Sequence, residues 1–433
     1  MCDRLRKLIQ LKGWPLILLG WLILGGCGRE DARERLVFWV FGREGEQVRP
    51  LIEAFELEHP DLRVDLQQIP WSAAYERLLT AYVGGQLPDV AQMGNSWLAR
   101  FAELHALEDL GTWIREADLD TTDFFEGVWM ANRIDGCLYG LPWYVDTRVI
   151  FYRTDLLRRA GYERMPTTWS EWSRLMHRLV APPVGARYAL WLLPDWSSLV
   201  IFGMQNDAPL LGARGAYGNF RDERFRRAFR FYLSLFGARL VPLSSTTQLG
   251  SVYQEFARGQ LVLFISGPWS VGELRDRLPD SLQNRWATAP LPGPEGPGLS
   301  LAGGASLVIF RGSRHPEATR KLIRFLTRPD VQLRFYELTG DLPVRRSVWQ
   351  LPPLRDDRQI DGFREQLARI RPLPTIPEWE AIAARIHYYA EAAKRGLLSP
   401  EEALTMLDRE VDLLLDKRRR WISAGEYHPA AHD

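Results

Sequence analysis

Cysteine is scarce here, at three residues in a chain of 433, so no framework of disulfides organises the fold. An excess of charge of one sign is also missing: 55 Lys and Arg stand against 54 Asp and Glu, a formal net charge of +1. That balance argues against a nucleic-acid partner, which needs a basic face. Beyond Cys27 no apolar run is long enough to cross a bilayer as a helix, and no internal repeat is visible. Catalytic signatures are lacking too: there is no Gly-x-Ser-x-Gly, no His-Glu-x-x-His and no P-loop. The one close histidine pair, His428 and His432, encloses Pro429 in a terminal tail, so neither a metal site nor a cofactor is expected.

What is present begins with length. A chain of 433 residues exceeds one ordinary hydrophobic core, so two domains are expected. Its 46% hydrophobic and 25% charged residues are those of a globular protein, whereas 17 Trp are several times an average share. Most of them will be core, but such an excess leaves some for stacking surfaces.

The first residues read as an address. Arg4, Arg6, Lys7 and Lys12 form a basic region, and Trp14 to Leu24 an apolar run too short to span a bilayer comfortably. The run ends in Leu24-Gly25-Gly26-Cys27, which resembles the bacterial lipobox, whose Cys becomes the acylated first residue. Residues 1–26 are therefore expected to be a lipoprotein signal peptide, Cys27 the lipidation site, and residues 27–34 a short tether. The competing reading is an ordinary secretory signal with a chance Cys. Removing residues 1–26 takes away four basic residues and one acidic one, which moves the formal charge from +1 to −2. Cys137 is then the only free thiol besides the acylated residue.

Further along, hydrophobic periodicity predicts β-α-β-α-β-α. Leu36 to Phe41 reads as a strand and Gly42-Arg43-Glu44-Gly45 as a turn. Val48, Leu51, Ile52 and Phe55 recur at helical spacing, and Arg63 to Ile69 alternates as a strand. Ser72 is placed to cap a helix, and a third strand from Pro88 runs into Asn95-Ser96-Trp97. Such an order predicts a parallel sheet with ligands beyond the carboxyl ends of its strands, where Gly42 to Glu44 and Asn95 to Trp97 fall. Tyr139-Gly140-Leu141-Pro142 leads into a stiff crossing carrying Trp143, Tyr144 and Asp146. Later come strands at Tyr188 to Leu193 and Leu261 to Ile265, the second running into Ser266-Gly267-Pro268-Trp269. Thr168 to Glu171 and Ser399 to Glu402 have the pattern of capping boxes.

Several of these fragments, in this order, resemble the extracellular solute-binding proteins of ABC importers, in the maltose and multiple-sugar-binding group. They are the lipobox, Leu51 to Pro60, Gly85 to Val90, Tyr139 to Pro142 with Tyr152 to Leu157, Pro166 to Trp169, Gly267 to Trp269, and Gly303-Gly304. The resemblance implies an α/β, two-lobe periplasmic-binding-protein fold of type II, its parallel or mixed sheets flanked by helices. Three hinge crossings would fall near 142–147, 302–306 and 340–345. The first lobe would comprise 35–142 plus 305–341, and the second 146–302 plus 345–433. It also implies a lipid-anchored monomer in the periplasm or on the cell surface, serving membrane permease subunits and not an enzyme. Alternatives are a ligand-sensing subunit for a membrane receptor, or a secreted glycoside hydrolase using two carboxylates.

A mono- or oligosaccharide offers hydroxyls edge-on and C–H patches face-on, so carboxylates, Arg and stacked aromatics are the residue types to seek. On the resemblance, Trp269 stacks on ligand and Asp146 is the polar position of the first crossing. Trp97, Trp143, Trp196 and Trp379 are further stacking candidates, with core packing as their competing role. Arg43 and Glu44 follow the first strand, Gly303 and Gly304 allow close backbone approach, and Arg345 sits at the third crossing. Arg43 together with Arg345-Arg346 leaves open an anionic ligand, such as a sugar acid or glycerol phosphodiester, held by bidentate contacts.

Overall fold

The computed structural model describes residues 33–213, 215–243 and 251–424. The signal stretch, Cys27, residues 28–32 of the tether and the pair His428 and His432 lie outside the described residues.

Strand β1 (Glu34–Phe41) pairs in parallel with β2 (Leu62–Ile69) and with β3 (Val90–Gly94). Helices Arg49–Glu58 and Trp71–Val83 make the crossovers, the first burying Leu51, Ile52 and Phe55. β1 begins at Glu34, the last residue of the expected tether. The turn expected at Gly42 to Gly45 is helix α1 (Gly42–Gln47). Gly42 takes φ +57°, and a Cβ there would lie 2.3 Å from Cδ1 of Trp71, so only glycine can start this turn off the strand.

The chain continues through β4 (Leu141–Asp146) and passes at once into a second sheet. That sheet holds β5 (Val149–Arg153), β6 (Tyr188–Trp191), β7 (Leu261–Ser266) and β8 (Trp286–Ala289), in the order β8-β5-β7-β6. Its core is apolar from both sides. Thr168 caps helix Trp169–Val180 by accepting from the Glu171 amide, and the helix buries Trp172, Leu175, Met176 and Leu179. Trp172 has no exposed surface, so its truncation costs about 3–5 kcal/mol. Helix α2 (Trp269–Arg277) follows directly on β7.

The chain then returns to the first sheet through β9 (Gly303–Ile309), helix α3 (Pro329–Thr339) and β10 (Leu342–Pro343). β9 runs antiparallel to both β3 and β4, and β10 antiparallel to β4, giving the mixed order β10-β4-β9-β3-β1-β2. The last passage leads back to helix α4 (Trp379–Lys394) and helix Pro400–Leu414, which pack on the second core. Ser399 and Glu402 form the full capping box at the start of the latter.

Three passages between the sheets thus run side by side. Asp146 lies opposite Gly303, and Val145 opposite both Gly304 and Leu342. Gly304 sits at φ +125°, with Tyr144 O only 2.2 Å from where a Cβ would be. Any side chain there would push β9 off β4.

Candidate functional site: a cleft between two sheets

A cavity of about 610 Å³ opens between the two sheets, within the range of roughly 300–1,000 Å³ usual for small-ligand sites. Its walls come from strand ends. α1 after β1 and Asn95–Trp97 after β3 form one side; Trp196 after β6 and Trp269 after β7 face them. The segment Pro372 to Thr375 closes the rim.

Glycine sets the pose of two tryptophans. A Cβ on Gly94 would come within 3.2 Å of the Trp97 ring, and one on Gly267 within 2.2 Å of Trp269. Both rings fold back over the end of their own strand, and only a missing side chain leaves them room. Trp71 meets Trp97 edge-on at 5.4 Å, and Trp196 meets the buried Trp379 edge-on at 5.5 Å. The guanidinium of Arg148 lies 4.8 Å from the Trp269 ring centroid.

At the bottom of the cleft, Glu44 is held by neutral donors. Tyr144 donates its hydroxyl to Glu44 Oε1 at 2.7 Å, Trp71 donates Nε1–H at 3.3 Å, and Gln92 donates at 3.4 Å. Gln92 also donates to the Tyr144 hydroxyl at 2.9 Å, which fixes the phenol's orientation. Burial raises the Glu44 pKa above the usual carboxylate value, against the opposing effect of these hydrogen bonds. Asp341, just before β10, is raised well above its ordinary value, first by burial and then by the charges of Glu44 and Asp146. Asp146 is also raised by burial, although Arg148 pairs with it. Arg43 spans the cleft: its guanidinium reaches Glu273 and Asp276 of α2, each at 3.1 Å.

Of the residues singled out in the sequence, Arg43, Glu44, Trp97, Asp146, Trp196, Trp269, Gly303 and Gly304 line this cavity. Trp143, Arg345 and Trp379 do not, and each is a correction. β4 alternates its side chains, so Trp143 points away from the cleft that Tyr144 faces; it stacks on Phe335 at 4.5 Å with no exposed surface. Arg345 is buried, donating to Thr327 O at 2.6 Å and to Asp123 at 3.2 Å, while lying over Phe124. Trp379 has no exposed surface and belongs to the second core behind Trp196. Trp71, Arg148, Asp195, Glu273 and Asp341 line the cavity without having been named as site residues. Among the described residues, no group of three His, Cys, Asp or Glu could hold a metal ion.

Two α/β units joined by three neighbouring strands, with an aromatic and acidic cleft between them, define a two-lobe binding protein of the periplasmic-binding-protein fold. The sequence pattern of the bacterial extracellular solute-binding proteins matches residues 41–333, and the chain belongs to that family. The solved sugar-binding protein MalE from the phytopathogen Xanthomonas citri is similar over 91% of this chain and 100% of its own, at 44% identity and a TM-score of 0.85. The galactooligosaccharide-binding protein of Bacillus subtilis is 24% identical, covering 88% of this chain and 92% of that protein. The diacetylchitobiose binding protein DasA of Streptomyces coelicolor is 22% identical over 96% of this chain and 100% of its own length. The family is one of binding proteins and not of enzymes, which sets the glycoside hydrolase reading aside.

Proposed function

We propose that the chain is a lipid-anchored, extracytoplasmic solute-binding protein that captures a sugar or oligosaccharide in the interlobe cleft. It then delivers the sugar to the membrane permease subunits of an ABC importer. The observation that carries this reading is the pairing of opposed aromatic faces with buried carboxylates. Trp97 and Trp71 stand on one wall, Trp196 and Trp269 on the other, and Glu44, Asp146 and Asp341 lie between them. Aromatic rings cover the C–H faces of a pyranose while carboxylates accept from its hydroxyls. The likeness to proteins described as binding sugar, galactooligosaccharide and diacetylchitobiose points the same way.

The three adjacent crossings serve as the hinge, and closure brings the walls together. Arg43, reaching Glu273 and Asp276 across the cleft, holds the closed form. Acylation of Cys27 keeps the protein at the membrane beside its permease.

A thermal-shift screen of the chain from residue 27 over galacto-, malto-, arabino- and chito-oligosaccharides tests the reading. At least one saccharide should raise the melting point in proportion to the logarithm of its concentration. No shift with any of them would sink the proposal. Cys27→Ala in the full chain should leave the protein unanchored or unprocessed; a variant still processed and membrane-bound would remove the lipid anchor from the account.

A further inference from the structure

The positive charges of the cleft are already engaged. Arg148 pairs with Asp146, and Arg43 with Glu273 and Asp276. Glu44 and Asp341 have no such partner. The donors on Glu44 are a phenol, an indole and an amide. Asp341 is 5% exposed and lines the cavity; its backbone amide donates to Thr339 Oγ1, and among the described residues no Lys or Arg pairs with its carboxylate. Arg43 is a positive charge felt by Asp341, but its guanidinium is turned to α2. Asp195, on the facing wall, adds another carboxylate, occupied by the Ser197 amide and hydroxyl.

A buried carboxylate pair without a cation is costly, and two remedies exist: a shared proton, or a positive charge delivered by the ligand. An acidic ligand supplies neither. It would add a buried negative charge beside a pair that stays negative even with one proton bound, and like charges so placed cost several kcal/mol. We infer that this cleft is a charge filter: it takes neutral saccharides, takes amino sugars at least as well because their ammonium settles between Glu44 and Asp341, and rejects sugar acids and phosphosugars. The inference rests on the saccharide reading above and narrows it to one substrate class. It also answers the question left by the clustered arginines, since Arg345 is buried elsewhere and Arg43 is held by acids.

The test is calorimetry with matched trios of disaccharides that differ in one ring only: hexose, hexosamine and hexuronate. At pH 7.5 the hexuronate should bind about 100-fold or more weakly than the hexose, with the hexosamine equal to the hexose or tighter. Asp341→Asn and Glu44→Gln should each narrow the hexose-to-hexuronate ratio to roughly tenfold or less. A hexuronate bound as well as the hexose by the wild-type protein overturns the charge filter while leaving the saccharide reading intact. So does a ratio that both variants leave unchanged. If no hexose in any trio binds, it is the saccharide reading that falls. The wild-type ratio decides the matter even where a variant folds poorly.

Discussion

Trp269 and Trp143 provide a two-sided test of which tryptophans are site and which are core. Trp269 is partly exposed, lines the cavity and packs on Gly267, with the Arg148 guanidinium beside its ring. A sugar ring laid on its face covers about 60–80 Å² of apolar surface, on the order of 1.5–2 kcal/mol, and stacking adds about 0.5–1.5 kcal/mol. Trp269→Ala should therefore weaken saccharide binding by about 2–3.5 kcal/mol, or roughly 30- to 350-fold in dissociation constant. Ligand-free stability should fall far less, because the side chain leaves the cleft wall and not a closed cavity. Trp143 should behave oppositely. It stacks on Phe335 and meets Phe38 at a tilt, with no exposed surface, so Trp143→Ala costs about 3–5 kcal/mol of fold stability. Whatever protein remains folded should bind sugar within a few-fold of the parent. Calorimetric affinity and urea unfolding on both variants check this directly. Equal loss of stability in both, with affinity untouched in Trp269→Ala, would refute the assignment of the aromatic wall.

Three other outcomes are expected. Glu44 and Asp341 have pKa values raised by burial, so the folded protein binds more protons than the unfolded chain between about pH 4 and the raised values. Ligand-free stability carried by these groups therefore declines as pH rises through that window, and Asp341→Asn should be more stable than the parent at pH 7.5, with the gain shrinking toward pH 5. A thermal melt series that shows a pH-independent difference would contradict this sign. Asp276→Asn removes one largely exposed cross-cleft ion pair, worth about 0.2–1 kcal/mol, and should weaken affinity about 1.4- to 5-fold at low salt. The effect should fade at 1 M salt, and persistence there would mean Asp276 acts by another route. X-ray scattering should show a smaller radius of gyration with saturating saccharide than without; an unchanged profile would count against hinge closure.

Much of the scaffold was legible because it is written in local periodicity. The spacing of Leu51, Ile52 and Phe55 and the alternation of Arg63 to Ile69 each found its element. The errors lie where a distant segment decides. β9 begins inside the second expected crossing, because Gly303 and Gly304 pair with Asp146 and Val145. The pleat parity of β4 separates Tyr144 from Trp143, and parity is fixed only by which face α3 covers; Gln332 of α3 donates to the Trp143 carbonyl at 3.0 Å. Asp341 stands in plain view in Gly340-Asp341-Leu342, yet it reaches the cleft because β10 pairs with β4. Trp71 was hidden behind Ser72, whose capping pattern drew attention although the helix starts at Trp71, two residues before such a cap would start it, and without a side-chain cap. Arg345 looked accessible as a charge, but its partners Thr327 and Asp123 are supplied from elsewhere in the chain.

The central claim is that one saccharide sits between the two sheets, on both aromatic walls. A crystal structure of the chain from residue 27, grown with the tightest-binding saccharide of the screen, tests it most directly. The account predicts a sugar ring on Trp269, contact with the Trp97 and Trp71 wall, and a sugar donor within about 2.5–3.2 Å of Glu44 or Asp341. A sugar bound instead in the separate groove lined by Phe125, Arg346 and Trp349, with the cleft closed and unoccupied, would contradict it.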